Sequence, residues 1–222
     1  MTEHRPTRVV LVRHGESVVT VNRVVGGPRT CSGLSELGRV QAARLRDRLV
    51  DRSEMESAAL ISSAYPRAIE TAQIIAPAFP GDVDVMEEFG EHDPGPECDG
   101  LTFDEFVDRY GMPDWDGDPN AVLFPGGETV AAFHHRVSAG LDRVERQYEG
   151  RTVVIVCHGG VVDVAMRRAL RTPMTGGFDL HTRNTSLTEI VLARPGRWRL
   201  VRYNDAAHLD GLPAETPRAG DG

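Results

Sequence analysis

The stretch RVVLVRHGE, residues 8–16, decides the fold because an apolar run ends abruptly in charge. Four consecutive apolar residues, three of them β-branched, are typical of a strand buried on both faces of a parallel sheet. Arg13 and His14 follow at once, and both are costly to bury without partners. Gly15 then allows a sharp turn and a close approach of a ligand to the backbone. We therefore expect a core strand that presents a cation and an imidazole at one edge of a sheet.

The stretch TVVIVCHGG, residues 152–160, repeats this construction. An apolar, β-branched run again ends in a histidine, His158, and glycine follows at once. A single such histidine is more often a structural residue that ends a strand, but two matching instances favour a function. Because the carboxyl ends of neighbouring parallel strands share one edge of a sheet, we expect His14 and His158 to meet there.

Strand and helix patterns alternate along the rest of the chain. The two motif-bearing runs predict strands over residues 8–12 and 152–157, and other short apolar runs predict strands over residues 58–63, 82–85, 186–192 and 197–203. Helical spacing predicts helices over residues 35–49, 66–76, 102–110, 128–147 and 161–170, with Ser35 as an N-cap and Pro66 in a first turn. This alternation predicts an α/β fold, a three-layer α/β sandwich with a mostly parallel central sheet. Ligands of such sheets bind beyond the carboxyl ends of the strands.

The pattern indicates a single domain over residues 1–209, since no linker-like break interrupts it. Residues 210–222 are rich in Pro, Gly and Ala, and this composition predicts a disordered tail.

Composition and charge exclude several classes of protein. The 222 residues carry a net charge of −8, which argues against general affinity for nucleic acid or for an anionic membrane. No apolar run is long enough to span a bilayer, and the N-terminus lacks the apolar stretch of a secretory signal. Three cysteines cannot all pair within one chain, and their spacing matches no zinc site. We therefore expect a cytoplasmic protein without a metal.

A third element points to the same edge of the sheet. The stretch SSAYPRAIETA, residues 62–72, places Arg67 in the first turn of a helix directly after a strand. Helix N-termini attract anions, and the arginine fork matches phosphate oxygens. An arginine in a first turn is by itself common on protein surfaces. Together with Arg13 and the two histidines, it predicts a phosphate pocket.

Five motifs occur in a fixed order along the chain: RHGE at residues 13–16, LSELGRVQA at 34–42, SSAYPRAIETA at 62–72, PGGET at 125–129 and VCHGG at 156–160. The ordered set resembles the histidine phosphatase superfamily, which has a phosphoglycerate mutase-like fold. The resemblance implies that His14 is a covalent nucleophile and that Arg13, Arg67 and His158 hold the phosphoryl oxygens. It implies a phosphatase that acts on a small phosphorylated metabolite and needs no cofactor. Positioning and positive charge are the main requirements of phosphoryl transfer, and this set of residues supplies both.

The resemblance also implies a proton donor for the leaving alkoxide, in the segment after the third strand. The family pattern there is Glu, three residues, then Gly, and EHDPG places Glu91 in that role, with Gly95 following. Glu88 is the rival candidate and Asp93 the third. Solvated carboxylates are the ordinary content of an acidic loop, so the residues alone leave this choice open.

Two functions other than a phosphatase are also compatible with these motifs. A phosphoglycerate mutase would carry an arginine pair in the middle segment, and this chain does not, so the phosphatase branch is favoured. A phosphate-binding module without turnover would not need the complete set of His14, His158 and a candidate acid. The chain departs from the family pattern at Thr20, Cys31 and Cys98, on the side that would face the leaving group. The substrate and the oligomeric state therefore stay open, and a homo-oligomer is compatible with the sequence.

Other motifs carry less weight. DWDGDPN, residues 114–120, has Pro119 where a calcium loop requires glycine. The HEXXH pattern of zinc enzymes and the GXSXG elbow of serine hydrolases are both absent from the sequence. Cys157 ends a buried run, where we expect an inert thiol.

Overall fold

The apolar runs pair into a six-stranded sheet in the computed structural model, which describes residues 5–194 and 196–216. The strands are β1 (Thr7–Arg13), β2 (Ala59–Ser62), β3 (Val83–Val85), β4 (Thr152–Cys157), β5 (Leu187–Arg194) and β6 (Arg197–Asp205). Their order across the sheet is β3-β2-β4-β1-β5-β6. Strands β1 to β4 run parallel to one another, whereas β5 pairs antiparallel with both β1 and β6. The predicted mostly parallel sheet is confirmed.

Seven α-helices accompany the strands within the described residues. They are α1 (Val18–Val21), α2 (Glu36–Arg52), α3 (Pro66–Ile75), α4 (Gly95–Cys98), α5 (Phe103–Tyr110), α6 (Val130–Gln147) and α7 (Gly159–Leu170). Short 3-10 turns add residues Ala76–Ala78, Glu87–Phe89 and Ala207–Leu209. None of the described helices is long and apolar enough to cross a bilayer.

Alternate side chains of each central strand pack into two separate hydrophobic cores, one on each face of the sheet. Val9 and Leu11 of β1 pack in one apolar cluster with side chains of α6 and α7. Val10 and Val12 pack in another with side chains of α2 and α3. All four valine and leucine side chains are fully buried, and each such burial is worth about 1.5–3 kcal/mol. Helices therefore cover both faces of the sheet, which is the three-layer sandwich that the sequence predicts.

The register of the two motif-bearing strands brings the two histidines together. β1 and β4 pair in parallel, with Arg13 opposite Cys157. His14 and His158 follow these two paired residues directly, and the backbone N–H of His14 still donates to the carbonyl of Cys157 at 2.9 Å.

The start of α2 presses against the turn after β1. Ser35 is the N-cap, as predicted, and its hydroxyl accepts from the N–H of Gly38 at 3.0 Å. A Cβ at Gly38 would lie 2.0 Å from the carbonyl oxygen of Glu16, and one at Gly15 would lie 2.5 Å from the carbonyl oxygen of Gly38. The two backbones therefore touch, and only glycine permits that approach.

The C-terminal residues described beyond the predicted domain end contact the rest of the chain. The N–H of Thr216 donates to Glu16 Oε2 at 2.9 Å. Glu215 forms an ion pair with Arg183 at 3.3 Å and accepts from the N–H of Asn184 at 3.1 Å. The remainder of the predicted disordered tail, residues 217–222, lies outside the described residues.

Candidate active site

His14 is held in one tautomer by two hydrogen bonds. Its Nδ1 lies 2.7 Å from the carbonyl oxygen of Gly15, and because a carbonyl only accepts, Nδ1 carries the proton. Arg67 Nε donates to His14 Nε2 at 3.1 Å, so Nε2 carries the lone pair. The side chain is 5% exposed. Nε2 is therefore the nitrogen of His14 that is able to attack an electrophile.

Arg13 and the backbone of His14 are anchored by the segment just before β5. Arg13 Nη1 donates to the carbonyl of Thr182, and the Arg13 carbonyl accepts from the N–H of Thr185 at 2.8 Å. Asn184 Nδ2 donates to the carbonyl of His14 at 2.8 Å. These contacts link the end of β1 to a segment about 170 residues away along the chain. They fix where the guanidinium and the imidazole lie.

Arg67 enters from the first turn of α3. Besides its contact with His14, Nη1 donates to the carbonyl of Gly26 at 3.1 Å. The guanidinium lies 4.8 Å from the centre of the Tyr65 ring, a cation–π distance. Arg67 is 4% exposed and therefore supplies a nearly desolvated positive charge beside His14 Nε2.

His158 is fully buried at the end of β4, with its ring centre 5.1 Å from that of His14. Burial and the nearby positive charge of Arg67 hold its pKa well below the usual value for histidine, so the ring is neutral at pH 7. Ser63 Oγ accepts from the N–H of Tyr65 at 3.2 Å and lies 2.7 Å from His158 Nε2. A hydroxyl that donates to Nε2 leaves the proton on Nδ1, which is buried and has no hydrogen-bond partner among the described residues.

Glu91 lies beside the turn that follows His158. Its Oε2 accepts from the N–H of Gly160 at 3.1 Å, and its Oε1 accepts from the N–H of His92 at 3.0 Å. The other two candidate acids lie elsewhere. Glu88 forms an ion pair with Arg143 on α6 at 3.1 Å, and its side chain is 29% exposed. Asp93 accepts from the N–H of Gly95 at 2.8 Å, and its side chain is 40% exposed.

Arg136 of α6 ties down the loop that carries Glu91. Its Nη1 and Nη2 donate to four backbone carbonyls of that loop, those of Glu87, Glu88, Gly90 and Glu91, at 2.9–3.4 Å. Glu128 pairs with the same guanidinium through two hydrogen bonds, of 2.9 and 2.8 Å. One side chain therefore satisfies four carbonyls and fixes a loop whose only regular secondary structure, among the described residues, is the 3-10 turn Glu87–Phe89.

A cavity of about 800 Å³ opens next to Glu91. Its walls come from the segment between β3 and α6, from α6 and α7, and from residues 174–181. Gly26, Glu91 and Gly159 line it: the Gly26 carbonyl accepts from Arg67, Gly159 directly follows His158, and Glu91 accepts from the next N–H, that of Gly160. The cavity therefore begins where the candidate proton donor lies.

Other candidates from the sequence take no part in this cluster. Burial raises the pKa of the Cys157 thiol, so that it stays protonated and unreactive at neutral pH. Cys31 and Cys98 are buried free thiols. Within residues 5–194 and 196–216, no group of three or more His, Cys, Asp or Glu side chains is placed to hold a metal ion.

Several residues that orient the cluster around His14 were not predicted from the sequence. Ser63 and Tyr65 lie inside the SSAYPRAIETA motif, where their position right after a strand was a usable signal. Asn184 precedes the strand that pairs with β1, which was a weaker signal. Arg136 gave none, because an arginine on a helix is ordinarily solvated.

Comparisons with known proteins relate the whole chain to one family. A model of the histidine phosphatase superfamily (branch 1) matches residues 9–206. The chain is 30% identical over 210 residues to the uncharacterized phosphatase PhoE of Bacillus subtilis, an alignment that covers 93% of this chain and 98% of that protein. It is 35% identical to the bifunctional protein Rv2228c of Mycobacterium tuberculosis over 92% of this chain, which spans only 55% of that longer relative. Among solved structures, YhfR of Bacillus stearothermophilus superposes with a TM-score of 0.79 at 28% identity, over 92% of this chain and 100% of that one.

Proposed function

The chain belongs to the histidine phosphatase superfamily, and we propose that it hydrolyses a small phosphomonoester through a phosphohistidine on His14. The observation that carries this proposal is the tautomer of His14. Its Nδ1 proton is engaged by the carbonyl of Gly15, and its Nε2 lone pair lies 3.1 Å from the Arg67 guanidinium, among the charges that would bind phosphate. A neutral imidazole in this state is a competent nucleophile.

In the first step, His14 Nε2 attacks phosphorus, the new P–N bond forms, and the bond from phosphorus to the ester oxygen breaks. Arg13 and Arg67 balance the charge on the phosphoryl oxygens, and the Nδ1 proton of His158 donates to one of them. Because these donors are buried at 0–6% exposure, each interaction is stronger than it would be in water. Glu91 gives its proton to the leaving alkoxide.

In the second step, water attacks the phosphohistidine. Glu91, now a carboxylate, takes a proton from the water, the P–N bond breaks, and its electron pair returns to His14 Nε2. Inorganic phosphate leaves, and Glu91 is again protonated for the next cycle. One carboxyl group therefore serves as acid and then as base.

We also propose that the reaction needs no metal. Two guanidinium groups and an imidazole N–H supply the positive charge that a divalent cation provides in many other phosphatases. Activity measured after treatment with EDTA should equal that of the untreated protein. A strict requirement for added magnesium or zinc would contradict this part of the proposal.

The decisive test is to trap the intermediate. Rapid quench of the protein with a ³²P-labelled phosphomonoester should give a protein-bound label that is stable in base and lost in acid. His14→Ala should abolish the label and the turnover of p-nitrophenyl phosphate while the protein stays folded. His135→Ala removes an exposed histidine of α6 and is the matched control, with full activity expected. An acid-stable label, or full activity in His14→Ala, refutes the mechanism, and phosphate binding without turnover indicates a binding module.

A further inference from the structure

The cavity beside Glu91 has a largely aromatic and thioether wall. It is lined by Phe103, Met112, Trp115, Phe124, Phe133 and Met174. His92 lies edge-on to the rings of Trp115 and Phe133, with ring centres 5.4 and 5.7 Å apart. Trp115 is 48% exposed, so a large indole face stands at the rim. Walls of this kind favour a flat, apolar ligand.

The charges of the cavity wall disfavour an anion. Arg167 is the one arginine or lysine among the described residues that line it. Its Nε donates to Asp163 at 2.7 Å, and its two other nitrogens donate to three backbone carbonyls at 2.8–3.0 Å. The guanidinium also lies 4.5 Å from the centre of the Phe178 ring. Arg167 is therefore committed to holding residues 173–178 and is not available to a ligand.

Two of the three histidines of the wall do not replace that cation, and the third, His181, is an exposed side chain. Burial lowers the pKa of His92, and it lowers the pKa of His134 to about 4, so both rings are neutral at pH 7. Asp116 and Asp179 also line the cavity, whereas Asp163 is the ion-pair partner of Arg167 and Glu91 is the proposed proton donor. A second anionic group on the substrate would meet these carboxylates and neutral rings, and no arginine or lysine of the described wall is available to pair with it.

Resting on the proposed function, we propose that the alcohol of the substrate is a bulky, ring-containing group without a carboxylate or second phosphate. The phosphoryl group would lie at His14 while the ring occupies the aromatic cavity, with the ester oxygen next to Glu91. A volume of about 800 Å³ also exceeds what a three-carbon acid could fill. The same wall disfavours phosphorylated carboxylic acids of the glycerate or serine type.

Three esters of similar alkoxide basicity test this inference: 2-naphthylmethyl phosphate, its 6-carboxy derivative and ethyl phosphate. We expect kcat/KM for the naphthylmethyl ester to exceed both of the others by at least about tenfold, the discrimination typical of an apolar pocket. Trp115→Ala should lower the naphthylmethyl-to-ethyl ratio severalfold. Equal kcat/KM for the carboxylated and the parent ester, or for ethyl and naphthylmethyl phosphate, overturns the inference.

A charge reversal at the rim gives a second, independent measurement. Asp179→Lys places a cation at the cavity, and it should raise the kcat/KM of the carboxylated ester relative to the parent by about threefold, as expected of an exposed ion pair. Asp108→Lys on α5 makes the same change of net charge at an exposed site outside the cavity wall, and it should leave the ratio unchanged. An equal rise in both variants would mean that net charge, and not the cavity, sets the preference. Failure of every ester, p-nitrophenyl phosphate included, would refute the proposed function itself and this inference with it.

Discussion

Gly160 offers the sharpest test of how Glu91 is positioned. A Cβ added at Gly160 would lie 2.3 Å from Glu91 Oε1, whereas ordinary contacts begin at 3.4 Å, so the carboxylate must move by about 1 Å. A misplacement of that size costs about 10²-fold in rate, within the 10²–10⁴-fold that general acid catalysis supplies. Gly160→Ala should therefore slow phosphoryl transfer from an alkyl ester about 10²-fold. Transfer from p-nitrophenyl phosphate should fall only a few-fold, because p-nitrophenolate leaves without a proton.

The assay must isolate the first step, because Glu91 also acts in the second step of the proposed mechanism. Single-turnover quench-flow with protein in excess measures formation of the phosphoenzyme alone. Gly160 lies in the first turn of α7, where alanine is favoured over glycine by about 0.5–1 kcal/mol, so urea unfolding should show no loss of stability. Gly81→Ala is the control, since no atom lies within 4 Å of the Cβ it adds.

A double-mutant cycle decides whether the effect runs through Glu91. Glu91→Gln should show the same dependence on the leaving group, and adding Gly160→Ala to it should cause little further loss. Glu88→Gln should slow both esters little, because that side chain pairs with Arg143 on α6. Fully multiplicative losses, or an equal loss on both esters in Gly160→Ala, would refute the reasoning.

Two further predictions concern stability. Gly38→Ala should destabilise the fold by about 1–3 kcal/mol in urea unfolding, because the added Cβ meets the backbone of Glu16 and no side chain can yield; an unchanged midpoint would contradict the observed approach. The folded-state pKa of His134, lowered to about 4 by burial and by Arg167, lies below the unfolded value near 6.5, so the unfolded chain binds more protons. Stability should therefore fall by up to about 3 kcal/mol as pH drops from 6.5 to 4. His134→Gln should flatten that part of the profile, and a parallel profile would contradict the assignment.

The central strands could be predicted closely because their signal is local. The predicted bounds of β4 coincide with the observed ones, and β1 extends the predicted strand by one residue at each end. Helix starts were less accurate. α7 begins at Gly159, two residues before the apolar pattern that predicted it, because glycines carry no helical signal. The helical conformation of these glycines is supported by tertiary contacts, such as the hydrogen bond from the N–H of Gly160 to Glu91.

The residues of the proposed phosphate pocket could be predicted to lie together because each follows or ends a strand or begins a helix. Topology alone then brings Arg13, His14, Arg67 and His158 to one edge of the sheet. The orientation of these side chains depends on partners far away in sequence and could not be predicted. Ser63 meets His158 across 95 positions, a contact that exists only once the sheet has formed. The aromatic cavity had no sequence signal either, because most of its residues come from irregular segments without periodicity and the rest are scattered over three helices.

The residues of the proposed chemistry and the residues of the proposed substrate specificity lie in different parts of the fold. The side chains proposed to bind phosphate lie at strand ends and a helix start at the centre of the sheet, at 0–6% exposure. Most of the cavity wall comes from loops and short helices outside the sheet. Glu91 belongs to both regions but stands on a loop, so it is the one proposed catalytic group that is not itself carried by a strand end or a helix start. The four carbonyl contacts of Arg136 take the place of that support. Loop sequences can therefore change the leaving-group pocket without disturbing phosphoryl transfer, provided that Arg136 and the close approach of Gly160 to Glu91 are kept.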